Sequence, residues 1–132
     1  MKQIQFMLIL LILGISANCQ SLSWKDFKGM WVSYQYGDTI RIHFSDNYKI
    51  FVEIGHHTQM AGQYTYSVNS GNQDITLSIK PSDKTRMDFL KITLSKMNQE
   101  EFQIKEVIHF YNDMPPESEL LEKNIYILKK QP

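Results

Sequence analysis

The 132-residue sequence predicts an all-β domain of about eight antiparallel strands, an up-and-down meander closing into a small barrel behind an N-terminal signal peptide. Three observations carry this. Apolar residues recur with a period of two along most of the chain. Clusters of Gly, Asn, Asp, Ser and Pro punctuate that alternation at short intervals. Finally, Gly29-Met30-Trp31 sets a residue without a Cβ two places before the largest apolar side chain, where the first strand begins. A small barrel needs a tight turn and a plug at that point.

Met1 to Gln20 stands outside this pattern. Lys2 supplies a positive start, Phe6 to Ile15 an almost unbroken apolar run, and Ser16, Ala17 and Asn18 a small or polar end. That is the layout of a secretory signal peptide, too short and too near the terminus for a comfortable membrane span. The expected domains are therefore 1–20, the signal peptide, and 21–132, the barrel. Export from a bacterial cell, to the periplasm or beyond, is the expected location. Cys19, the single cysteine, admits two readings. Either a general signal peptidase cuts after Ala17 or Cys19, or Cys19 is lipidated and anchors the domain in the envelope. Neither leaves a disulfide within one mature chain, so stability rests on the core.

Taken in order, Ser23 is a candidate N-cap for a short helical lead-in over Trp24-Lys25-Asp26-Phe27. Strand one is expected over Met30 to Tyr36, turned by Gly37-Asp38. Strand two runs from Thr39 to Phe44, with Ile40, Ile42 and Phe44 on one face and Thr39, Arg41 and His43 on the other. Ser45-Asp46-Asn47 turns into strand three, Tyr48 to Ile54, which aligns Tyr48, Ile50, Val52 and Ile54. A looser stretch, Gly55 to Ala61, precedes strand four, Gly62 to Val68, with Tyr64, Tyr66 and Val68 together.

Asn69 to Gln73 is a turn, and strand five, Asp74 to Lys80, sets Ile75, Leu77 and Ile79 against Thr76 and Ser78. Pro81 to Lys84 turns into strand six, roughly Arg86 to Ser95, where Phe89-Leu90 breaks the alternation and predicts a β-bulge. Met97 to Gln99 leads to strand seven, Glu101 to Tyr111. Strand eight spans Asn124 to Lys130, with Ile125 and Ile127 opposite Tyr126 and Leu128. Between the last two strands, Asn112 to Lys123 holds two prolines and cannot be strand interior. Glu117 to Glu122 admits one or two helical turns. The segment reads first as a solvated loop, with a flap over one barrel mouth as the functional alternative. Closure removes the two unpaired edges that a flat sheet would expose. Eight strands also enclose an interior of a size to be filled by side chains or to hold one small ligand.

Phe27-Lys28-Gly29-Met30-Trp31 resembles the Gly-x-Trp signature of the lipocalins and of smaller bacterial lipocalin-like, calycin-type domains. The resemblance spans Phe27 to Lys130 and implies a lipocalin-like barrel with Gly29 and Trp31 as its structural plug. It also implies a basic residue near the end of the barrel packing on that Trp, a place held here by Lys129 or Lys130. Fatty-acid-binding proteins share the start, but they insert a helical pair after strand one, where this chain runs straight through Gly37-Asp38 into strand two. The function that the resemblance implies is a secreted binding protein for a small apolar or amphipathic ligand.

Composition removes other classes. Without Lys2 the 14 basic residues fall to 13, against 14 acidic, and apart from Lys129-Lys130 the lysines are scattered singly along the chain. Nucleic-acid binding, which needs clustered positive charge, is not expected. His56-His57 is the most tempting metal candidate, with His43 and His109 as distant partners. Adjacent side chains on extended backbone point apart, however, and no metal site is expected. There is no Gly-x-Ser-x-Gly, no mature internal Cys, no phosphate loop, and Glu100-Glu101 and Glu117/Glu119 fall at turns. No enzyme activity and no cofactor are expected.

The aromatic residues, Trp31, Tyr34, Tyr36, Phe44, Tyr48, Tyr64, Tyr66, Phe89, Phe102, Phe110 and Tyr126 among them, serve first to fill the barrel. Tyr34, Tyr36, Tyr64 and Tyr66 combine apolar area with a hydroxyl, which suits a semi-polar pocket, and are the candidate ligand-binding residues. Two hypotheses follow. One is a binding barrel whose ligand enters at the mouth opposite Trp31, with the 112–123 segment as a lid. The other is a filled barrel that docks a protein partner, as an inhibitor or envelope accessory.

Overall fold

Strands of alternating character come first because the alternation leaves each with one apolar face, and only pairing followed by closure buries all of those faces together. In the computed structural model, which describes residues 22–56, 58–111, 114–118 and 125–132, they do so as a closed antiparallel barrel. The elements are α1 (Trp24–Phe27), β1 (Gly29–Gln35), β2 (Asp38–Phe44), β3 (Lys49–Ile54), β4 (Thr58–Val68), β5 (Ile75–Pro81), β6 (Phe89–Asn98), β7 (Glu101–Phe110), β8 (Glu117–Ser118) and β9 (Tyr126–Lys130). Neighbours pair in order from β1 to β7. Then β9 joins β7 to β1 and closes an eight-stranded meander, with the two-residue β8 on the upper part of β7. Residues 1–21, and with them the signal peptide and Cys19, lie outside the described residues.

The β1–β9 seam is short. Ladder pairing covers Trp31 with Lys130 and Val32 with Lys129, and just below it the Gln131 N–H donates to the Met30 carbonyl at 2.8 Å. A side chain extends it: the Gln35 carboxamide oxygen accepts from the Ile127 N–H at 2.7 Å and from the Ser33 hydroxyl at 3.2 Å.

The inward faces are filled. Ile40, Ile42 and Phe44 of β2, Ile50 and Val52 of β3, Leu77 and Ile79 of β5, Leu90, Ile92 and Leu94 of β6, and Leu128 of β9 are all buried. The lower end is closed by α1, whose Ser23 cap accepts from the Lys25 N–H while Asp26 accepts from the Ser23 N–H, a reciprocal capping box. This short helix delivers Phe27 into the barrel floor, against the rings of Phe44, Tyr64, Tyr66 and Phe102 at 5.3 to 6.1 Å. Trp31 lies beside it, 4.7 Å from Phe102 and 1% exposed. The floor is therefore built as much by Phe27 as by Trp31.

Several boundaries differ from expectation, each for a local reason. The first turn is Tyr36-Gly37, both at positive φ (58° and 77°), the pattern of a two-residue hairpin whose twist matches the strands. Tyr48 belongs to the turn before β3, also at positive φ. The stretch expected to be loose, Gly55 to Ala61, is strand from Thr58 onward, because Ile54 pairs with Thr58 across a three-residue turn. No bulge falls at Phe89-Leu90, which pair regularly with Phe110 and His109. The register slips instead between Thr93 and Leu94, where β7 carries the extra Lys105, and between Lys96 and Asn98. Arg86 to Asp88 precede β6, and Met97 and Asn98 continue it. Glu117–Ser118 is extended, paired with Ile108 and His109, and the rest of the expected helical turns and most of the proposed lid lie outside the described residues.

Candidate functional site

The alternation of strands brings the connections leaving Gln35, Ile54, Pro81 and Phe110 to one rim, and α1 and the turns 45–48 and 69–74 to the other. The four candidate tyrosines divide between these ends. Tyr34 and Tyr36, at the top of β1, are exposed at 70% and 58%. Tyr34 lines a shallow outer groove of about 420 Å³ along the β1–β9 seam. Tyr36 packs edge-on against Tyr126 at 5.3 Å, whose hydroxyl approaches Asp38 at 3.5 Å. Tyr64 and Tyr66, low on β4, share a different groove.

That second groove, about 560 Å³ and half open to solvent, is lined by Asn47, Tyr48, Gln63, Tyr64, Thr65, Tyr66, Ser78 and Lys80. It exists because β3 and β4 part company. Their pairing ends at Lys49 with Gln63, after which β4 runs on to Val68 beside β5 alone. One further bond, from the Tyr64 N–H to the Tyr48 carbonyl at 2.9 Å, ties the turn to β4 at the top of the gap. Gly62 lets β5 come close just above: a Cβ there would stand 1.9 Å from the Lys80 carbonyl oxygen.

Three tyrosines shape the groove. Tyr48 is held in the left-handed region at φ 60°, next to Asn47 at 57°, and its ring meets Tyr64 at 5.5 Å. A bulky residue with positive φ stores on the order of 1 kcal/mol of strain, and such outliers collect where a side chain must be held in place. Tyr66 is half-buried, and its hydroxyl donates to the Leu22 carbonyl, which fastens the start of the described chain to β4. Tyr64 is 2% exposed, and its hydroxyl has no hydrogen-bond partner among the described residues. Burial pushes that hydroxyl up to about 12, with Tyr48 and Tyr66 adding to the shift.

The opposite rim carries the other polar cluster. Arg86 grips Asp88 through two nitrogens, at 2.6 and 2.9 Å, and also donates to the Gln59 carbonyl at 3.1 Å. Asp88 meets the buried His109 at 2.6 Å, and the His109 ring lies 4.0 Å from Tyr111. The Arg86 guanidinium, then His109, hold the Asp88 carboxyl down at about 2. His43 is exposed on the outer face of β2 and His56 is exposed after β3, far from His109 in the strand order, while His57 lies outside the described residues. Glu100 and Glu101 sit at the β6–β7 turn.

Sequence reasoning found Tyr64 and Tyr66 but placed them with Tyr34 and Tyr36. It assigned Tyr48 to a strand, where no strain and no groove arise. The Arg86–Asp88–His109 cluster went unnoticed, though Arg86-Met87-Asp88 has the spacing at which extended side chains share a face. Lys130 is the lysine over the plug, its ammonium 5.7 Å from the Trp31 ring centroid. Comparison of the chain with protein-family models, curated proteins and solved structures returned no match.

Proposed function

We propose that this chain is an exported, lipocalin-like binding barrel that takes a small apolar or amphipathic ligand in the groove between the β2–β3 turn and β4. The observation carrying this reading is the Tyr64 hydroxyl, buried beside that groove without a hydrogen-bond partner among the described residues. An unpaired buried hydroxyl costs roughly 1–3 kcal/mol in stability and is kept where something else satisfies it. The groove has the volume of a small-molecule site and offers aromatic walls with a few polar groups. Export rests on the Lys2 and Phe6–Ile15 layout, and a lipid anchor at Cys19 remains part of the proposal.

The test is a fluorescence titration of wild type and Tyr64→Phe with octanoate and an aromatic probe. Saturable binding weakened in Tyr64→Phe, together with a higher melting temperature for that variant, supports the reading. Absence of any binding by wild type overturns it. A second reading, a protein-docking barrel of the envelope, is favoured by the packed interior, which leaves the outer face and loops for recognition. Pull-down of a defined partner that Tyr64→Phe binds as well as wild type would favour it.

A further inference from the structure

We infer that the groove takes an amphipathic anion, its apolar body against Tyr48 and Tyr66 and its acidic group between Lys49 and Lys80. This rests on the groove being the binding site. The lysines are scattered in the sequence, and the strand register gathers them. On the outer face Lys49 of β3 is opposite Gln63 of β4, and Gln63 is opposite Lys80 of β5. Neighbouring strands lie about 4.8 Å apart, so the two lysine backbones flank Gln63 at roughly 10 Å from one another, within reach of a shared anion. One row lower, Thr65 is opposite Ser78 and Ser78 opposite Lys91, which adds two hydroxyls and a third ammonium on the diagonal from Lys80.

No acidic residue among the described residues neutralises this row: Lys49, Lys80 and Lys91 make no ion pair with one. The acid nearest on β3, Glu53, is held by Arg41 and Gln59. The groove lining itself holds a lysine and no carboxylate. An ammonium–carboxylate hydrogen bond is about twice as strong as a neutral one, so an acidic head gains where an alcohol does not, and a cationic head meets repulsion.

Calorimetric titration at low ionic strength with octanoate, octanol and octyltrimethylammonium tests this on the mature chain, on Lys49→Gln/Lys80→Gln and on Lys105→Gln. Octanoate is expected to bind wild type at least about tenfold tighter than octanol. That ratio should fall toward one in the double variant and persist in Lys105→Gln, whose lysine lies on β7. Equal affinity of wild type for octanoate and octanol, or a ratio unmoved in the double variant, overturns the anion assignment while leaving the groove. Failure of all three probes to bind overturns the groove, and the assignment with it.

Discussion

The indole N–H of Trp31 donates to the carbonyl of Phe27, four residues earlier, at 2.8 Å. That one bond joins the end of α1 to the start of β1, across Gly29 at φ 125°. Trp31→Ala should therefore cost about 3–5 kcal/mol, the range for a buried aromatic and a large share of the roughly 5–15 kcal/mol that holds a small domain. Trp31→Phe keeps the apolar plug and strands the Phe27 carbonyl, for a loss of roughly 1–3 kcal/mol. Lys130→Met removes only the cation above the ring, about 0.5–1 kcal/mol. Denaturant melts should rank the three in that order, and a Trp31→Ala curve that overlays wild type would show the floor to be peripheral.

Gly62 is the second test of packing. The clash of a Cβ there is with backbone, the Lys80 carbonyl, so no side-chain rotation relieves it. Gly62→Ala should force β4 and β5 apart and cost on the order of 1–3 kcal/mol or more. Because Gln63 and Tyr64 follow directly and line the groove, the same variant should lose ligand affinity. Unchanged amide-exchange protection along β4 and β5 in Gly62→Ala, with unchanged stability, would refute this account.

Legibility in the sequence followed the physics of each signal. Ile40, Ile42 and Phe44, or Ile75, Leu77 and Ile79, announce their strands because burial of one face dictates a period of two. The β7 slip was not read from the sequence, although its trace is there. Phe102 and Ile104 are followed by Val107 and His109 on the buried face, so a step of three between Ile104 and Val107 marks Lys105-Glu106 as the bulge. Phe89-Leu90 misled because Phe89, stacked on Phe110 at 4.5 Å, is an outward aromatic rather than a break. The groove was not legible. It arises from where β3 stops pairing and from a tyrosine forced to positive φ, both consequences of register and turn geometry that propensities do not encode. The lysine row is invisible for the same reason, since register alone brings residues 49 and 80 together.

Asp88 sets the acid behaviour. Its folded pKa of about 2 lies below the unfolded carboxylate value near 4, so its stabilising contribution is complete above pH 4 and is lost as pH falls toward 2. With Asp88 side chain 13% exposed but Arg86 35% exposed, the loss should be about 1–2 kcal/mol. Urea melts between pH 5 and 2 should show this slope in wild type and a shallower one in Asp88→Asn. A parallel slope in the variant would remove Asp88 from the account.

Tyr64 sets the alkaline behaviour, with the opposite sign. Its hydroxyl ionises near 10 in the unfolded chain and near 12 in the barrel, so the unfolded state sheds its proton first. Stability should fall as pH rises from 10 toward 12, and ultraviolet titration should show one late tyrosinate, at about 12, that is absent from Tyr64→Phe. Tyr64→Phe removes both the late titration and the unsatisfied hydroxyl, so it should be more stable than wild type by about 1 kcal/mol at neutral pH. Tyr48→Gly separates strain from contact in the same cluster: relief at φ 60° favours the glycine, and loss of the ring against Tyr64 opposes it. The two variants should thus agree in weakening ligand binding, while Tyr64→Phe removes the alkaline limb due to this hydroxyl and Tyr48→Gly, which takes away one contributor to the shift, lessens it in part. A wild-type Tyr64 hydroxyl that ionises near 10, the unfolded value, would place Tyr64 in water and remove the buried group on which the binding site depends.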